Sequence, residues 1–234
     1  MAIELSAPPT AAIHYPTSDG QPMAENTKQF RWIVTIQGGL DALYKDDPHV
    51  FVAGDLLWYP VEGNPRLRRA PDALVVFGRP KGDRGAYLQW EEDDIAPQVV
   101  FEVLSPGNTV IEMARKQRFY DQYGVEEYYL YDPDHGELAG WIRREAGLQF
   151  IENVNGWRSP RLGIKLSIGH EGDLVLERPD GGRFLSYLEL ERERAAERER
   201  AEFEAQRAEA ETLKAALFAA KLRELGIDPE TLVT

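Results

Sequence analysis

The spacing of apolar positions changes period twice between Gln98 and Asp132. QVVFEVL (98–104) is a near-continuous apolar run and predicts a strand, and Ser105-Pro106-Gly107 ends it. Thr109-Val-Ile-Glu112 then has the spacing of a capping box, in which the Thr side chain accepts a first-turn N–H and the Glu reaches back. Gly124 follows Tyr123 as a C-terminal cap, so a helix is predicted over about 110–123. VEEYYLYD (125–132) reads as the next strand. Strand, helix and strand in such close succession predict a crossover with the two strands parallel.

Upstream, residues from Glu25 to about Tyr44 follow a helical period, with Phe30, Ile33, Val34, Leu40 and Leu43 on one face. Gly38-Gly39 is expected to end or kink that helix. HVFVAGDLLWYP (49–60) reads as strand interrupted at Gly54-Asp55, and RRAPDALVVFG (68–78) as a loop feeding a strand. RPKGDRGAY (79–87) is turn-rich. Over 137–187, the short runs LAGWIRR, LQFIEN, LGIKLSI, DLVLERP and RFLSYLEL alternate with turn residues and predict an antiparallel meander completing or flanking the sheet.

The pattern breaks at both ends. Residues 1–23 are rich in Pro, Ala, Ser and Thr and read as a flexible arm. From about 186 the chain is built largely of Glu, Arg, Ala and Leu, all strong helix formers, with opposite charges at i,i+3 (Glu191/Arg194, Glu204/Arg207) and i,i+4 (Arg198/Glu202). A long helix is predicted, which GIDPETL closes. Leu188, Ala195, Phe203, Ala210, Leu213, Leu217 and Ala220 form only an imperfect a/d seam. One reading is a solvated single helix with a packed Leu-rich end. The other, preferred because that end must be hidden, is self-association into a homo-oligomer. The expected organisation is an arm (1–23), a folded domain (24–187) and a long helix (188–234) that could form a coiled coil.

Composition removes several chemistries. The 234 residues contain no cysteine, which excludes disulfides, zinc–thiolate sites and cysteine nucleophiles. The four histidines are scattered without a ligand pattern. The N-terminal stretch lacks the basic-then-apolar order of a secretory signal, and no apolar run approaches membrane-spanning length, so a cytoplasmic protein without membrane contact is expected. A formal net charge of −13 argues against a general nucleic-acid coat, but not against a local basic groove.

The chemistry centres on Glu102. Side chains alternate along a strand, so Val99, Phe101 and Val103 share one face while Val100, Glu102 and Leu104 share the other. Glu102 thus points into a packed layer, where an ionised carboxylate is costly unless compensated. Pro71-Asp72 immediately precedes the strand ALVVF, so Asp72 and Glu102 would converge if the two strands pair. Two such carboxylates favour a cation, and hard oxygen ligands with open positions suit Mg²⁺ or Mn²⁺. Lys116, on the following helix, shares a sheet-facing side with Phe119, Tyr120 and Tyr123 and can reach back to Glu102. Two carboxylates, a metal and an ammonium are equipment for phosphodiester hydrolysis.

Pro71-Asp72, Phe101-Glu102-Val103-Leu104-Ser105-Pro106, Lys116, Tyr120, Gly124-Val125-Glu126-Glu127-Tyr128 and Asp132-Pro133, in that order, resemble the Uma2 (DUF820) family of the PD-(D/E)xK nuclease superfamily. The resemblance covers roughly residues 20–187, and the KLRELGIDP-type tail also resembles one found on many members. It implies a mixed α/β (α+β) fold, a restriction-endonuclease-like sheet flanked by helices with metal at one end. It also implies a Mg²⁺-dependent endonuclease acting on nucleic acid, DNA ahead of RNA. Asp72 and Glu102 would be metal ligands and Lys116 the charge stabiliser, with Glu25 matching an acidic residue on the first helix. One departure is that Leu104 stands where the superfamily has its usual lysine, and Lys116 on the next helix fits that role.

Competing readings stand beside these. Glu102 and Lys116 also fit a buried ion pair fixing the helix on the sheet, Asp72 a turn residue, and Glu25 a helix-start acid favoured by the dipole. Ser105 is explained by the strand-end turn, Glu91-Glu92-Asp93-Asp94 by a solvated loop, and Tyr120 and Tyr123 by core packing. Arg66, Arg68, Arg69, Arg79, Lys81, Arg84, Arg115 and Arg118 lie near the candidate site in sequence and could form a positive rim or a salt-bridged surface. The alternative function is a catalytically silent assembly protein that keeps the fold and recruits partners through its C-terminal helix.

Overall fold

The computed structural model describes residues 13–226. The predicted GIDPETL cap, beyond its Gly226, and the first twelve residues of the arm lie outside that range. The chain divides between Ser186 and Tyr187 into two compact units.

The first unit is a mixed α/β body. Its helices are α1 (Thr27–Leu43) and α2 (Val110–Gln122). Its strands are β1 (Val50–Ala53), β2 (Trp58–Tyr59), β3 (Ala73–Phe77), β4 (Tyr87–Leu88), β5 (Val99–Val103), β6 (Glu127–Asp132), β7 (Glu137–Arg144), β8 (Gly147–Phe150), β9 (Trp157–Arg158), β10 (Lys165–Ile168) and β11 (Leu174–Glu177). The main sheet has six strands in the order β1-β3-β5-β6-β7-β8. Only β5 and β6 pair in parallel there, joined by the α2 crossover as the hydrophobic period predicts. The meander divides: β7 and β8 extend the main sheet, while β11-β10-β9 form a separate three-stranded sheet and β2-β4 a two-stranded one. RFLSYLEL is not a strand, because the third helix already begins at Tyr187.

Two cores flank the main sheet. On one face Val99, Phe101 and Val103 pack with Ile33, Ile36 and Leu40 of α1 and with Leu166, Leu174 and Leu176 of the small sheet. On the other, Val100, Leu74 and Val76 pack with Trp58, Phe119, Tyr120 and Tyr128. Glu102 belongs by alternation to this second, α2-covered face.

α1 differs from its predicted face. Its buried stripe is Gln29, Ile33, Ile36 and Leu40, whereas Phe30 and Val34 are exposed. The helix also runs through Gly38-Gly39 to Leu43. A Cβ on Gly39 would fall 2.2 Å from the Phe184 ring, so this glycine admits a neighbouring side chain instead of ending the helix. Asn26 caps α1 by accepting the Gln29 N–H at 2.8 Å. α2 carries the predicted Thr109 cap, accepting from the Glu112 N–H at 3.2 Å. The Glu112 carboxylate turns to the Asn108 side-chain amide. Gly124, at φ 93°, takes the left-handed conformation that ends the helix.

The second unit contains α3 (Tyr187–Glu224), 38 residues long and without a buried residue among those described. Intrahelical ion pairs join Arg194 to Glu191 and Arg207 to Glu211, the latter in place of the predicted Glu204 partner. Phe203, Leu213, Leu217 and Phe218 are exposed along it. Among the described residues no helix is long and apolar enough to cross a membrane.

Candidate active site

Strand register brings the carboxylates together. β3 and β5 are antiparallel with Ala73 opposite Phe101, so one further step sets Asp72 opposite Glu102. Opposed residues of an antiparallel pair point to the same face. The Val103 N–H then fixes Asp72 by donating to Oδ2 at 2.6 Å. Glu102 is 2% exposed, with its two oxygens divided between two donors of α2. The Lys116 ammonium donates to Oε2 at 2.8 Å, and the Tyr120 hydroxyl donates to Oε1. Lys116 and Tyr120 are one helical turn apart, which is why both reach one carboxylate.

Two carboxylates face one ammonium here, and the electrostatics follow. Burial pushes the Asp72 carboxyl well above the usual range, and the Glu102 charge pushes it further; Lys116 and the Val103 amide oppose the shift. Burial pulls Lys116 down, but the Glu102 and Asp72 charges outweigh it and hold the ammonium above its ordinary value. Lys116 is therefore a proton-bearing cation. Tyr120 is pushed well up by burial and by Glu102, so its hydroxyl stays a donor.

A cavity of about 740 Å³ opens on this group. Asp72 and Lys116 line it, while Glu102 lies behind them. Arg66, Arg68, Arg69 and Arg115 are in its wall, together with Asp19, Glu25, Asp55 and Glu112. Arg68 and Arg69 donate to the carbonyls of Pro65 and Arg68, and their guanidinium groups also lie over the Tyr59 and Phe119 rings. The rest of the predicted rim is elsewhere. Arg79 and Arg84 both clamp Glu92, whose side chain is only 12% exposed, and Lys81 pairs with Asp41. The Glu91–Asp94 run is thus partly an ion-pair anchor rather than a wholly solvated loop. Arg118 is not in the wall.

Glu25 is neither on the first helix nor in its first turn. It precedes the Asn26 cap, and its carboxylate accepts the Ser105 hydroxyl at 2.6 Å and the Gly107 N–H at 3.2 Å. A Cβ on Gly107 would sit 2.3 Å from a Glu25 oxygen, so a side chain there would displace that carboxylate from the turn. Ser105 is accounted for by the same contact. Gln29 accepts the Glu25 N–H and donates to the Val103 carbonyl, tying α1 to the strand whose amide holds Asp72.

Sequence reasoning missed Asp55 and Asp19. Asp55 holds a left-handed φ of 48°, and its N–H donates to the Pro71 carbonyl beside Asp72. Burial raises its pKa, with Asp19 and Glu102 adding to the shift and Lys116 opposing it. The only signal was the Gly54-Asp55 break in an apolar run. Asp19 belongs to the arm, which is tied down by Tyr15. That ring packs on Tyr59 and Trp90 at centroid distances of 5.3 and 5.0 Å, and its hydroxyl accepts the Gly63 N–H.

The family model of Uma2, described as "Putative restriction endonuclease", matches residues 12–168. The chain belongs to the Uma2 family. Among solved structures it is similar to "a putative nuclease belonging to DUF820" from Anabaena variabilis, at 16% identity and a TM-score of 0.44, over 59% of this chain and 74% of that one. No curated protein matches the chain.

Proposed function

We propose that this Uma2 protein is a divalent-metal-dependent nuclease hydrolysing phosphodiester bonds of nucleic acid, with DNA ahead of RNA as substrate. The observation that carries the proposal is the convergence of Asp72, Glu102 and Lys116 where the cavity meets the sheet. The donor set fits a metal such as Mg²⁺ or Mn²⁺. Burial and the facing Glu102 charge raise the cost of ionising Asp72, one ammonium faces two carboxylates, and each carboxylate oxygen of Glu102 keeps a lone pair beyond its donor. Among the described residues no group of three or more Asp, Glu or His side chains is placed to hold a metal, so the ion would rest on Asp72 and Glu102 alone, with water and phosphate completing its shell.

Asp72 and Glu102 would hold the ion. When bound, it supplies Lewis-acid polarisation and a water of lowered pKa. Lys116, protonated, stabilises charge developing on a phosphate oxygen and does not act as a base. Arg66, Arg68, Arg69 and Arg115 steer the phosphate backbone. Glu25 supports the site by holding the Ser105–Gly107 turn that follows β5.

A second reading rests on a specific observation: Glu102 lies behind the cavity, with Lys116 on one carboxylate oxygen and Tyr120 on the other. The trio would then be a structural ion pair in a silent assembly protein. α3, with Phe203, Leu213, Leu217 and Phe218 exposed, is the surface that would self-associate or recruit partners under either reading.

The test is cleavage of linear, supercoiled and single-stranded DNA and of RNA, with Mg²⁺ or Mn²⁺ against EDTA, for wild type beside Asp72→Ala. Metal-dependent cutting that the variant lacks is the expected result. Full activity in Asp72→Ala would end the site assignment, and no cutting by the wild type would favour the assembly reading.

A further inference from the structure

The geometry points to Tyr120 as a positioning residue: its hydroxyl holds Oε1 of Glu102 while Lys116 takes Oε2, which sets the carboxylate in the orientation in which it would meet a metal. The inference rests on the metal-dependent reading above. A glutamate carboxylate rotates broadly about its last torsion, so a defined coordinating edge needs a second contact to select it. Here Tyr120 supplies that contact with a rigid donor. The residue is fully buried, and its hydroxyl donates to Glu102.

Its ring lies within 4° of parallel to Trp58 at a centroid distance of 6.4 Å. Phe119 meets it edge-on at 5.9 Å, and Tyr128 packs on it at 5.1 Å. A donor held on three sides fixes the carboxylate rather than following it.

The fold contains its own control. Tyr128 is a neighbouring, fully buried tyrosine on the same face, yet its hydroxyl has no hydrogen-bond partner. Tyr120→Phe and Tyr128→Phe remove the same atom from the same aromatic cluster, and only the first removes a contact to Glu102. If Tyr120 merely fills the core, the two variants behave alike. If it positions a ligand, they separate in metal affinity.

The experiment is Mn²⁺ binding to the full chain, read by electron paramagnetic resonance of free Mn²⁺, for wild type and both variants, with circular dichroism as the check of folding. Partners that orient a metal ligand typically contribute about 10–100-fold in affinity. Tyr120→Phe is expected to weaken Mn²⁺ binding by about that factor, and Tyr128→Phe to match the wild type. Wild-type affinity in Tyr120→Phe, or equal weakening in both variants, overturns the positioning role while leaving the metal reading intact. Absence of Mn²⁺ binding by the wild type overturns both.

Should Tyr120→Phe not fold, 3-fluorotyrosine at position 120 keeps the ring and the hydroxyl but makes the phenol a stronger acid. It is expected to shift Mn²⁺ affinity several-fold, and the same replacement at 128 is not. Identical affinities at the two positions overturn the proposal.

Discussion

Replacing Lys116 separates what the Glu102 pair does for the fold from what it does for chemistry. Lys116→Met removes the ammonium and keeps an unbranched apolar stem of similar reach. Glu102, at 2% exposure, then keeps the Tyr120 hydroxyl as its donor and faces Asp72 without a counter-charge. Breaking one side of a buried ion pair costs about 3–5 kcal/mol. The Lys116 side chain is 17% exposed and Tyr120 remains, which places the loss near the low end, at about 3 kcal/mol. In a domain of this size each kcal/mol moves the melting temperature by about 2–4 °C, so a fall of about 6–12 °C is expected in EDTA.

Calorimetry of Lys116→Met, Glu102→Gln and the double variant tests this. A neutral amide no longer needs a cation, so the double variant should recover most of the loss, with a coupling energy of about 2 kcal/mol or more. The double variant should fold and still fail to cleave. A change below about 1 kcal/mol in Lys116→Met, or additivity in the cycle, would refute the pair as a determinant of stability. Cleavage at the wild-type rate by the well-folded double variant would remove Lys116 and Glu102 from the chemistry.

Asp72→Asn should stabilise the metal-free protein at neutral pH, because the folded-state pKa of Asp72 lies above its unfolded value. Wild-type stability falls as pH rises from about 3.9 through the raised folded value, so the variant's gain appears over that window and is absent below it; urea melts at several pH values read it, and a pH-independent gain or a loss would contradict it. Adjacent glycines of α1 should respond oppositely to alanine. Gly38 has nothing within 4 Å of an added Cβ, so Gly38→Ala should gain up to about 1 kcal/mol from helix propensity. Gly39→Ala drives a methyl into Phe184 and should lose about 1–3 kcal/mol, less the same propensity gain, in thermal melts.

The convergence of Asp72, Glu102 and Lys116 in the candidate site was legible because these residues obey local periodicities. Glu102 is read from two-residue alternation on β5, Lys116 and Tyr120 from their four-residue spacing on α2, and Asp72 from its place before an apolar strand. The periphery follows no such rule. Asp55 reaches the cavity through a left-handed backbone at a residue other than glycine, which no pattern announces. Asp19 arrives because Tyr15 docks on Tyr59 and Trp90, contacts made with distant parts of the chain. Arg79 and Arg84 look available in the sequence and are spent on Glu92, a partner in a following turn that composition alone marked as solvated. The wrong face of α1 has a similar origin. Its apolar residues outnumber the buried positions, and tertiary packing on β5 and the small sheet selects Ile33, Ile36 and Leu40 over Phe30 and Val34.

Stability and the proposed function conflict at a definable place in this fold. Asp72 and Glu102 repel across a strand pair, and Asp55 holds an unfavourable backbone beside them. These features persist because rigid neighbours impose them. β5 is buried at all five positions and paired on both sides, so Glu102 cannot be withdrawn without unpairing the sheet. Asp72 is pinned by the main-chain N–H of Val103 on that strand, and Gln29 ties the Val103 carbonyl to α1. Trp58, Phe119 and Tyr128 immobilise Tyr120 behind the pair. A purely structural ion pair would be relieved by losing Asp72, which opposes Glu102 and, among the described residues, shares the Lys116 charge without an ion pair of its own. The second carboxylate is therefore the residue whose presence stability alone does not explain, and a divalent cation is the partner that would turn its cost into binding energy.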